Sequence, residues 1–349
     1  MRVLGVTFLL PHSKAHSGAG LVMHGQYAAL GARHDLTLVT FAVTEPEEKA
    51  ALARLRQSGI KVHVVGETMP AWAIRLKRRW QRRVAGWVRP ESSLGDLGFV
   101  DLRMQNLLDR LLSQGSFDLL QVESVGFGNY QYRTQIPSVL IEHQATSSEP
   151  GQDGDQSRVP TWQQFDRIQV FTQRDAAAIR RLAPELADRV RVNPFGVDLG
   201  TEADRNREEP NLITFVGGFH HAPNVDAALW LGLEIMPILH KMGANAFLEI
   251  VGNDPPAAVR ALASSDIKVT GRVPDIMPYL ERAAVVLAPV RLGGGMRVKV
   301  LQAMAMGKAV VTTPLGAEGL ATVAGPPPLV IAESAQEIAE ATSRLLTGA

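Results

Sequence analysis

The sequence predicts an α/β protein made of two Rossmann-like, doubly wound domains that face each other across a cleft. The chain has 349 residues, which is more than a single hydrophobic core usually serves. Short β-branched runs alternate with helical stretches in both halves, a pattern typical of parallel sheets with right-handed crossovers. A charged stretch with Gly and Pro interrupts this alternation near the middle, and the pattern then restarts.

The first half supplies the candidate elements of a domain over residues 1–193. Its candidate strands are short and bounded by polar residues, Gly or Pro. They are Val3–Leu10, Leu36–Phe41, Val62–Val65, Leu119–Val122, Val139–Glu142 and Ile168–Phe171. Its candidate helices are Val22–Leu30, Lys49–Gln57 and Leu102–Leu112.

Residues 194–210 have the composition of an inter-domain linker, because two glycines and a proline precede a run of charged residues. A second domain is expected over residues 211–349. Its candidate strands are Leu212–Val216, Phe247–Val251, Ile267–Thr270, Val285–Ala288 and Ala309–Thr312. Its candidate helices are Val225–Leu239, Ala257–Ala263, Ile276–Arg282 and Val298–Met306.

Composition restricts the class of protein. The chain has no cysteine, which excludes a disulfide framework and thiolate chemistry and fits a reducing compartment. Its net charge of +1 does not by itself indicate a highly charged partner. The apolar run Val3–Leu10 is too short for a membrane span and lacks the pattern of a cleavable signal. We therefore expect a cytoplasmic protein, at most peripheral at the inner face of the membrane.

Ligands of doubly wound sheets bind beyond the carboxyl ends of the strands, so the loops there are the candidate sites. Gly18 and Gly20 follow the first strand, and Gly217 and Gly218 follow Leu212–Val216. Glycines let a backbone approach a ligand closely, and helix N-termini favour phosphate. The first loop lacks the third glycine and the ribose-binding acid of a dinucleotide fingerprint, and a flexible turn is its simpler interpretation.

Histidines occur in two of these loops. His143 follows Val139–Glu142, where a neutral imidazole could hydrogen-bond a sugar hydroxyl or shuttle a proton; a structural role is the alternative. His220 and His221 are adjacent, and neighbouring residues rarely point at one ion. The sequence therefore predicts no metal site.

The most informative stretch runs from Ala288 to Val311. A strand feeds the loop Gly293, Gly294 and Gly295, and a helix, a glycine stop and another strand follow. Glycine amides and a helix N-terminus form a cradle for a diphosphate, to which Arg297 and Lys299 add positive charge. The alternative is that these two cations are solvated surface charges.

This stretch closely resembles the donor-binding half of the retaining GT-B glycosyltransferases of the GT4-like family (glycosyl transferases group 1). The branch with a Gly-Gly-Gly-x-Arg-x-Lys loop is the most similar. Further similar segments are Asn193–Asp198, Phe215–Asn224, Gly271–Asp275 and Gly316–Leu320. The resemblance covers most of residues 2–347 and is densest in the second half.

The resemblance implies an acceptor-side domain, a linker and a donor-binding domain in that order. It implies that His143, Arg297 and Lys299 are catalytic. The nucleotide-sugar site it implies consists of Gly18, Gly20, Gly217, Gly218, Gly271, Arg272, Val273, Gly293, Gly294, Gly295, Met296, Gln302 and Glu318.

The sequence also departs from the family. Many relatives carry two glutamates eight positions apart in the donor loop, at the positions of Gly294 and Gln302 here. An amide at 302 can still accept a hydrogen bond from a ribose hydroxyl through its carbonyl oxygen. The Arg and Lys that many relatives carry after the first strand of the donor domain are absent, and the helix that usually crosses back to the first domain is not expected.

The implied reaction is transfer of a hexose from a UDP- or GDP-linked donor with retention at the anomeric carbon. The glycine-loop region shows no carboxylate nucleophile for a double displacement. The leaving diphosphate would therefore take the acceptor's proton, with loop amides and cations stabilising its charge. No metal and no other cofactor is expected. The acceptor would be a polysaccharide, a lipid-linked intermediate or a small molecule.

A basic and aromatic stretch offers a second surface. Between Trp72 and Arg89 there are seven basic residues and no acid. We expect an interfacial helix that meets anionic lipid or the acceptor; a solvated helix is the alternative, and nucleic acid is not expected as a partner. The residues of this predicted surface are Trp72, Arg75, Arg78, Arg79, Trp80, Arg82, Arg83 and Trp87.

Two other functions remain open at this stage. A GT-B module could bind a nucleotide or a partner subunit without catalysis, as Gln302 and the short C-terminus suggest. A nucleotide-sugar epimerase would have the same fold, but the sequence shows no set of carboxylates suited to that chemistry.

Overall fold

In the computed structural model, the chain forms two compact units, each built on a parallel sheet. The change from the first unit to the second falls between Asn193 and Pro194. The structure describes residues 1–12, 18–41, 46–66, 100–114, 117–124, 127, 129–146, 156–197, 204–320 and 328–348.

The sheet of the first unit has the strand order β3-β2-β1-β4-β5-β6-β7 in the described chain. Its strands are β1 (Arg2–Val6), β2 (Asp35–Phe41), β3 (Lys61–Val65), β4 (Leu119–Glu123), β5 (Ser138–Glu142), β6 (Arg167–Val170) and β7 (Val190–Val192). Its helices are α1 (Gly18–Gly31), α2 (Pro46–Gln57), α3 (Leu102–Ser113), α4 (Val159–Trp162) and α5 (Gln173–Leu182), with 3-10 turns at Gln156–Arg158 and Pro184–Arg189.

The sheet of the second unit has the order β10-β9-β8-β11-β12-β13 in the described chain. Its strands are β8 (Leu212–Val216), β9 (Phe247–Val251), β10 (Ile267–Gly271), β11 (Val285–Ala288), β12 (Ala309–Thr312) and β13 (Val330–Ile331). Its helices are α6 (Ala222–Trp230), α7 (Met236–Lys241), α8 (Ala257–Arg260), α9 (Met277–Arg282), α10 (Val298–Ala305) and α11 (Ala335–Thr347), with a 3-10 turn at Arg205–Arg207.

The central strands are buried on both faces, as expected for parallel sheets covered by helices. All five residues of β8 and all four of β11 are buried. Helices pack on each face, so two clusters of apolar side chains surround each sheet. None of the helices that the structure describes has the length and apolar character needed to cross a bilayer.

The structure shortens the first predicted strand. β1 ends at Val6, whereas the apolar run continues to Leu10. Phe8 instead packs against Phe41 and Phe127, with ring centroids 5.6 and 6.4 Å away. Aromatic packing therefore replaces strand pairing where the chain leaves the sheet.

The predicted helix Val225–Leu239 is interrupted. A π-helical turn over Leu231–Ile235 separates α6 from α7. Pro237 lies in the first turn of α7 and has no N–H to donate to the preceding turn. The wider π turn accommodates this missing hydrogen bond.

The loops after β8 and β9 approach each other so closely that one position must be glycine. A Cβ atom on Gly252 would lie 1.8 Å from the carbonyl oxygen of Gly217. The amide of Gly217 donates to the carbonyl of Val251 over 2.9 Å. This hydrogen bond holds the two loops at the distance that the Gly252 contact requires.

We predict that Gly252→Ala destabilises the protein by about 1–3 kcal/mol, because the backbone must move to admit the methyl group. Urea unfolding measures this difference. Gly25→Ala is the matched control, because that position in α1 has open space around it. Alanine there should stabilise the protein by roughly 0.5–1 kcal/mol, and an equal loss in both variants would contradict the close approach.

Candidate functional site

The second sheet places its two glycine-rich loops on neighbouring strands. β8 and β11 are adjacent although two strands, β9 and β10, separate them in chain order, so the strand order reverses between them. Gly217 and Gly218 follow β8, and Gly293, Gly294, Gly295 and Met296 follow β11. Such switch points form the ligand crevice of doubly wound sheets. The structure thus brings these predicted site residues together.

The triple-glycine loop has backbone angles that residues with a side chain rarely adopt. Gly293 and Gly295 have φ angles of +86° and +76°, in the left-handed region, and all three glycines are buried. The Arg297 guanidinium donates to the carbonyl of Gly294 and, over 3.3 Å, to that of Leu292. Arg297, which follows the loop in the chain, therefore stabilises the conformation of the loop.

A second arginine fastens the loop to helix α6. Arg291 donates to both carboxylate oxygens of Asp226 over 2.7 and 3.1 Å. Its guanidinium carbon lies 4.3 Å from the centroid of the Trp230 ring. Bidentate pairing with stacking restricts an arginine in orientation as well as position. The loop is therefore fixed relative to the helix that starts after β8.

Lys299 lies in the first turn of α10 and points toward the β8 loop. Its Nζ donates to Oδ1 of Asn224 and lies 4.6 Å from the centroid of the Phe215 ring. Asn224 in turn donates to the carbonyl of Gly218 over 2.8 Å. A Cβ on Gly217 would lie 2.8 Å from Cγ of Asn224, so glycine is needed for this arrangement.

The environment of Lys299 disfavours its charged form. Burial first and the charge of Arg297 second lower the pKa of Lys299 to about 7. Burial also lowers the pKa of His221 to about 4, and the charges of His220, Lys299 and Arg297 add to this effect. Cationic groups thus converge on the switch point, where an anion would be stabilised.

The remaining predicted residues of this unit lie along the same edge of the sheet. Gly271, with φ of +71°, ends β10, and exposed Arg272 and half-buried Val273 follow it. Gln302 lies one turn after Lys299 on α10, and Glu318 follows β12. β10 is three strands from β11, a separation of about 14 Å.

In the first unit, His143 is paired with a buried carboxylate. Its Nε2 lies 2.7 Å from Oε2 of Glu123, whose side chain is fully buried. Nε2–H donates to Glu123 in the neutral imidazole, which leaves Nδ1 as an acceptor. The Gln121 amide also donates to Glu123 over 3.3 Å. This geometry suits an oriented histidine that binds or moves a proton.

A second buried carboxylate fixes the segment that carries His143. Glu142 accepts hydrogen bonds from Ser124 over 2.9 Å and from Trp162 over 2.8 Å, and it pairs with Arg158 at 2.8 Å. Ser124 also accepts from the amide of His143 over 3.3 Å. The satisfied carboxylate holds the end of β5 in place, so the backbone of His143 is fixed before its ring is oriented.

Sequence reasoning missed Glu123. The available signal was an acid at the end of a buried strand, directly after the apolar run Leu119–Val122. Burial and the neighbouring charge of Glu123 raise the pKa of Tyr27. The predicted phosphate-binding residues Gly18 and Gly20 lie in the first turn of α1, which follows β1.

Two further points concern the predicted basic surface and the question of metal ligands. The basic and aromatic surface between Trp72 and Trp87 lies outside the described residues. Within the part of the chain that the structure describes, three or more His, Cys, Asp or Glu side chains nowhere cluster as metal ligands.

Comparisons with known proteins agree with this architecture. Residues 210–348 match the family model described as Glycosyl transferases group 1. A search of curated protein sequences returns no match.

Several solved structures share the fold of this chain over nearly its whole length. HepE from Anabaena, in complex with UDP and glucose, has a TM-score of 0.62 at 15% identity and covers 99% of this chain and 93% of its own. TarM from S. aureus has a TM-score of 0.69 at 10% identity, and the match covers 99% of this chain and 92% of TarM. The trehalose-6-phosphate synthase OtsA has a TM-score of 0.66 at 12% identity and covers 100% and 92%. The two parallel-sheet α/β units confirm the predicted GT-B fold class, and the matches support a glycosyltransferase.

We predict that stability rises with pH between about 7 and 10.5 because of Lys299. Its folded pKa of about 7 lies below the ordinary value of 10.5, so the unfolded chain binds more protons in this window. The gain is on the order of 2–4 kcal/mol. Urea unfolding at several pH values measures it. The difference should vanish in Lys299→Met, and an unchanged slope in that variant would contradict the burial of the amine.

Proposed function

We propose that this protein is a retaining glycosyltransferase that moves a hexose from a nucleoside diphosphate sugar. The observation that carries the proposal is the cradle at the switch point. There, a buried glycine loop and the N-terminus of α10 meet Lys299, held by Asn224. Backbone amides and one poised cation suit a diphosphate, because both stabilise negative charge.

The other residues of this edge suit the rest of the donor. In the proposal, Gly271, Arg272 and Val273 contact the base, and Gln302 accepts a hydrogen bond from the ribose. Gly293, Gly294, Gly295, Met296 and Glu318 surround the diphosphate and the sugar. UDP is the first base to test, because the similar HepE structure holds UDP and glucose.

The proposed reaction proceeds on one face of the sugar. The bond between the anomeric carbon and the diphosphate breaks while the acceptor oxygen bonds to the same face. The leaving diphosphate takes the acceptor's proton. Lys299, the loop amides and the dipole of α10 stabilise the charge that develops on the diphosphate. Arg297 acts by holding the loop through the carbonyls of Gly294 and Leu292.

The cations of the chain serve the role that a metal ion fills in other transferases, so the proposed activity requires neither a metal nor another cofactor. His143 contacts the transferred sugar in this proposal, and Glu123 positions its ring. Gly18 and Gly20, in the first turn of α1, bind the donor phosphates in the same proposal. The acceptor is a polysaccharide, a lipid-linked intermediate or a small molecule, and the enzyme acts in the cytoplasm or at the inner membrane face.

The competing function is a module that binds a nucleotide or a partner subunit without turnover. Gln302 and the short C-terminus motivate this alternative, because in similar proteins a glutamate at this position typically accepts hydrogen bonds from the ribose hydroxyls. Turnover of any sugar nucleotide would exclude it.

We predict that one nucleoside diphosphate, UDP first among UDP, GDP, ADP and dTDP, stabilises the protein in the presence of a chelator. A ligand at one hundred times its dissociation constant adds about 2.7 kcal/mol to the free energy of unfolding. Thermal-shift measurements with the diphosphates and their sugar conjugates detect this gain. Lys299→Ala should abolish it, because the cation beside the diphosphate is lost.

Lys241→Ala is the matched control, since it removes the same charge from the exposed end of α7 in the same unit. Its shift should equal that of the wild type. No shift with any nucleotide would favour the non-catalytic module. With the donor identified, an inverted anomeric product would overturn the proposed one-face reaction while leaving the donor site intact.

We predict that Glu123→Gln lowers kcat on the order of 100-fold with little change in the donor KM, because His143 loses its orienting carboxylate. Steady-state kinetics measure both constants. The double variant Glu123→Gln/His143→Ala should lose no more than His143→Ala alone, since the two residues act as one unit. Additive losses would show that Glu123 acts independently of the histidine.

A further inference from the structure

A row of polar side chains crosses one face of the first sheet, near the ends of its central strands. Thr7 follows β1, Thr40 lies near the end of β2, and Glu123 ends β4. β1 pairs with β2 on one side and with β4 on the other, and the two registers place Thr40, Thr7 and Glu123 side by side. Residues in such a row point to the same face of a parallel sheet. All three are buried, so polar groups occupy a place where a hydrophobic core is expected.

Helix α1 covers this face and contributes Tyr27. The phenol ring lies over Gly5, where a Cβ atom would be 2.6 Å from Cε1 and 3.2 Å from Cζ of Tyr27. Gly5 is paired with Gln121 on β4, so the ring reaches across to the strand that carries Glu123. Burial first, then the charge of Glu123, raise the pKa of Tyr27. The hydroxyl therefore keeps its hydrogen and is available as a donor.

Glu123 has few donors for a carboxylate that is fully buried. Its oxygens lie 2.7 Å from Nε2 of His143 and 3.3 Å from the amide nitrogen of Gln121. His143 is its one ion-pair partner within the described chain, and no arginine or lysine there pairs with it. A buried carboxylate remains ionised only where hydrogen bonds or charges replace its hydration. Glu123 therefore depends on neutral donors in its surroundings.

Three hydroxyl groups in the same place can supply those donors. The side-chain oxygens of Thr7, Thr40 and Tyr27 are buried, and none has a hydrogen-bond partner in the part of the chain that the structure describes. Native proteins rarely leave buried polar atoms unpaired. A hydroxyl hydrogen rotates to suit its acceptor, and one bridging water spans a gap too long for direct contact. Glu123 is the ionisable acceptor within this row.

We propose that Tyr27 is a positioning residue for His143 that acts through Glu123. Its hydroxyl, together with those of Thr7 and Thr40, donates toward the carboxylate and keeps it ionised. An ionised Glu123 accepts the Nε2–H of His143 and leaves Nδ1 to face a substrate. The inference rests on the proposed role of His143 in sugar transfer, but the position of the ring hydrogen can be measured without turnover.

The first test follows the ring nitrogens of His143 by ¹⁵N NMR of the full chain near neutral pH, with His143→Gln to assign the signals. In the wild type, Nε2 should carry a hydrogen. In Tyr27→Phe, Glu123 takes up one proton from solvent and donates it to Nε2, and the ring hydrogen moves from Nε2 to Nδ1. The signal of Nε2 should therefore change from its protonated to its unprotonated position.

A second variant and a control accompany this measurement. Thr7→Val removes another hydroxyl of the row with almost no change in shape, and it should shift the Nε2 signal in the same direction. Tyr132→Phe is the matched control, because Tyr132 is also buried in the first unit but packs in the core on the other face of the sheet. Its hydroxyl donates to the carbonyl of Phe127 over 3.3 Å, away from Glu123. The ring signals of His143 should stay unchanged in this variant.

The second test is kinetic and uses the donor once it is identified. Tyr27→Phe should lower kcat on the order of 10-fold with little change in the donor KM, because His143 presents the wrong nitrogen. In the Glu123→Gln background, the same substitution should cause no further loss, since both residues act through one orientation of the ring. Additive losses would contradict a role that passes through Glu123.

The outcomes separate this inference from the proposed function. An unchanged Nε2 signal in both Tyr27→Phe and Thr7→Val would overturn the role of Tyr27, and so would an equal change in Tyr132→Phe. Movement of the ring hydrogen as expected, without turnover of any sugar nucleotide, would support the contact with Glu123 and count against the transferase. Turnover with an unchanged ring signal would do the reverse.

Discussion

The arrangement at the switch point between β8 and β11 depends on two positions that carry no side chain. Gly252 lies against the carbonyl of Gly217, and Gly217 lies against the side chain of Asn224. These contacts let the loops after β8 and β9 pack together and place Asn224 under the amine of Lys299. Steric contacts thus hold the cation, and they begin at β9, two strands away from the strand that carries the glycine loop.

The charged groups described in the two candidate regions have opposite signs. In the second unit, cations gather at a switch point whose described residues offer backbone amides and a helix N-terminus. In the first unit, the buried carboxylates Glu123 and Glu142 lie at the ends of neighbouring strands, and each has a defined partner. The described groups of the second unit therefore suit an anion, whereas those of the first unit orient their own hydrogen-bond donors.

Most strands could be predicted from the sequence, because a buried parallel strand is a local apolar run with polar or glycine boundaries. β7 and β13 were missed, since three and two residues are too short for a periodic signal. Helix α11 was also missed, although Ser334 and Glu337 form a capping box, and their spacing in the sequence is the signature of that motif. The glycine loop was predictable because its residues are contiguous. The pairing of Glu123 with His143 was not, because it depends on the register that sets Glu123 opposite Ile141.

The position of Gln302 on α10 bears on the charge of Lys299. Gln302 lies one turn from Lys299, where side chains three positions apart are neighbours. A carboxylate there would favour the ammonium form and raise the pKa of Lys299, whereas an amide leaves it near 7. At the proposed donor site, this amide avoids a buried ion pair with Lys299, and a bound diphosphate would supply the charge that protonates the lysine. If the donor binds there as proposed, Gln302 links proton uptake to donor binding, so a glutamine at this position is compatible with the proposed transfer.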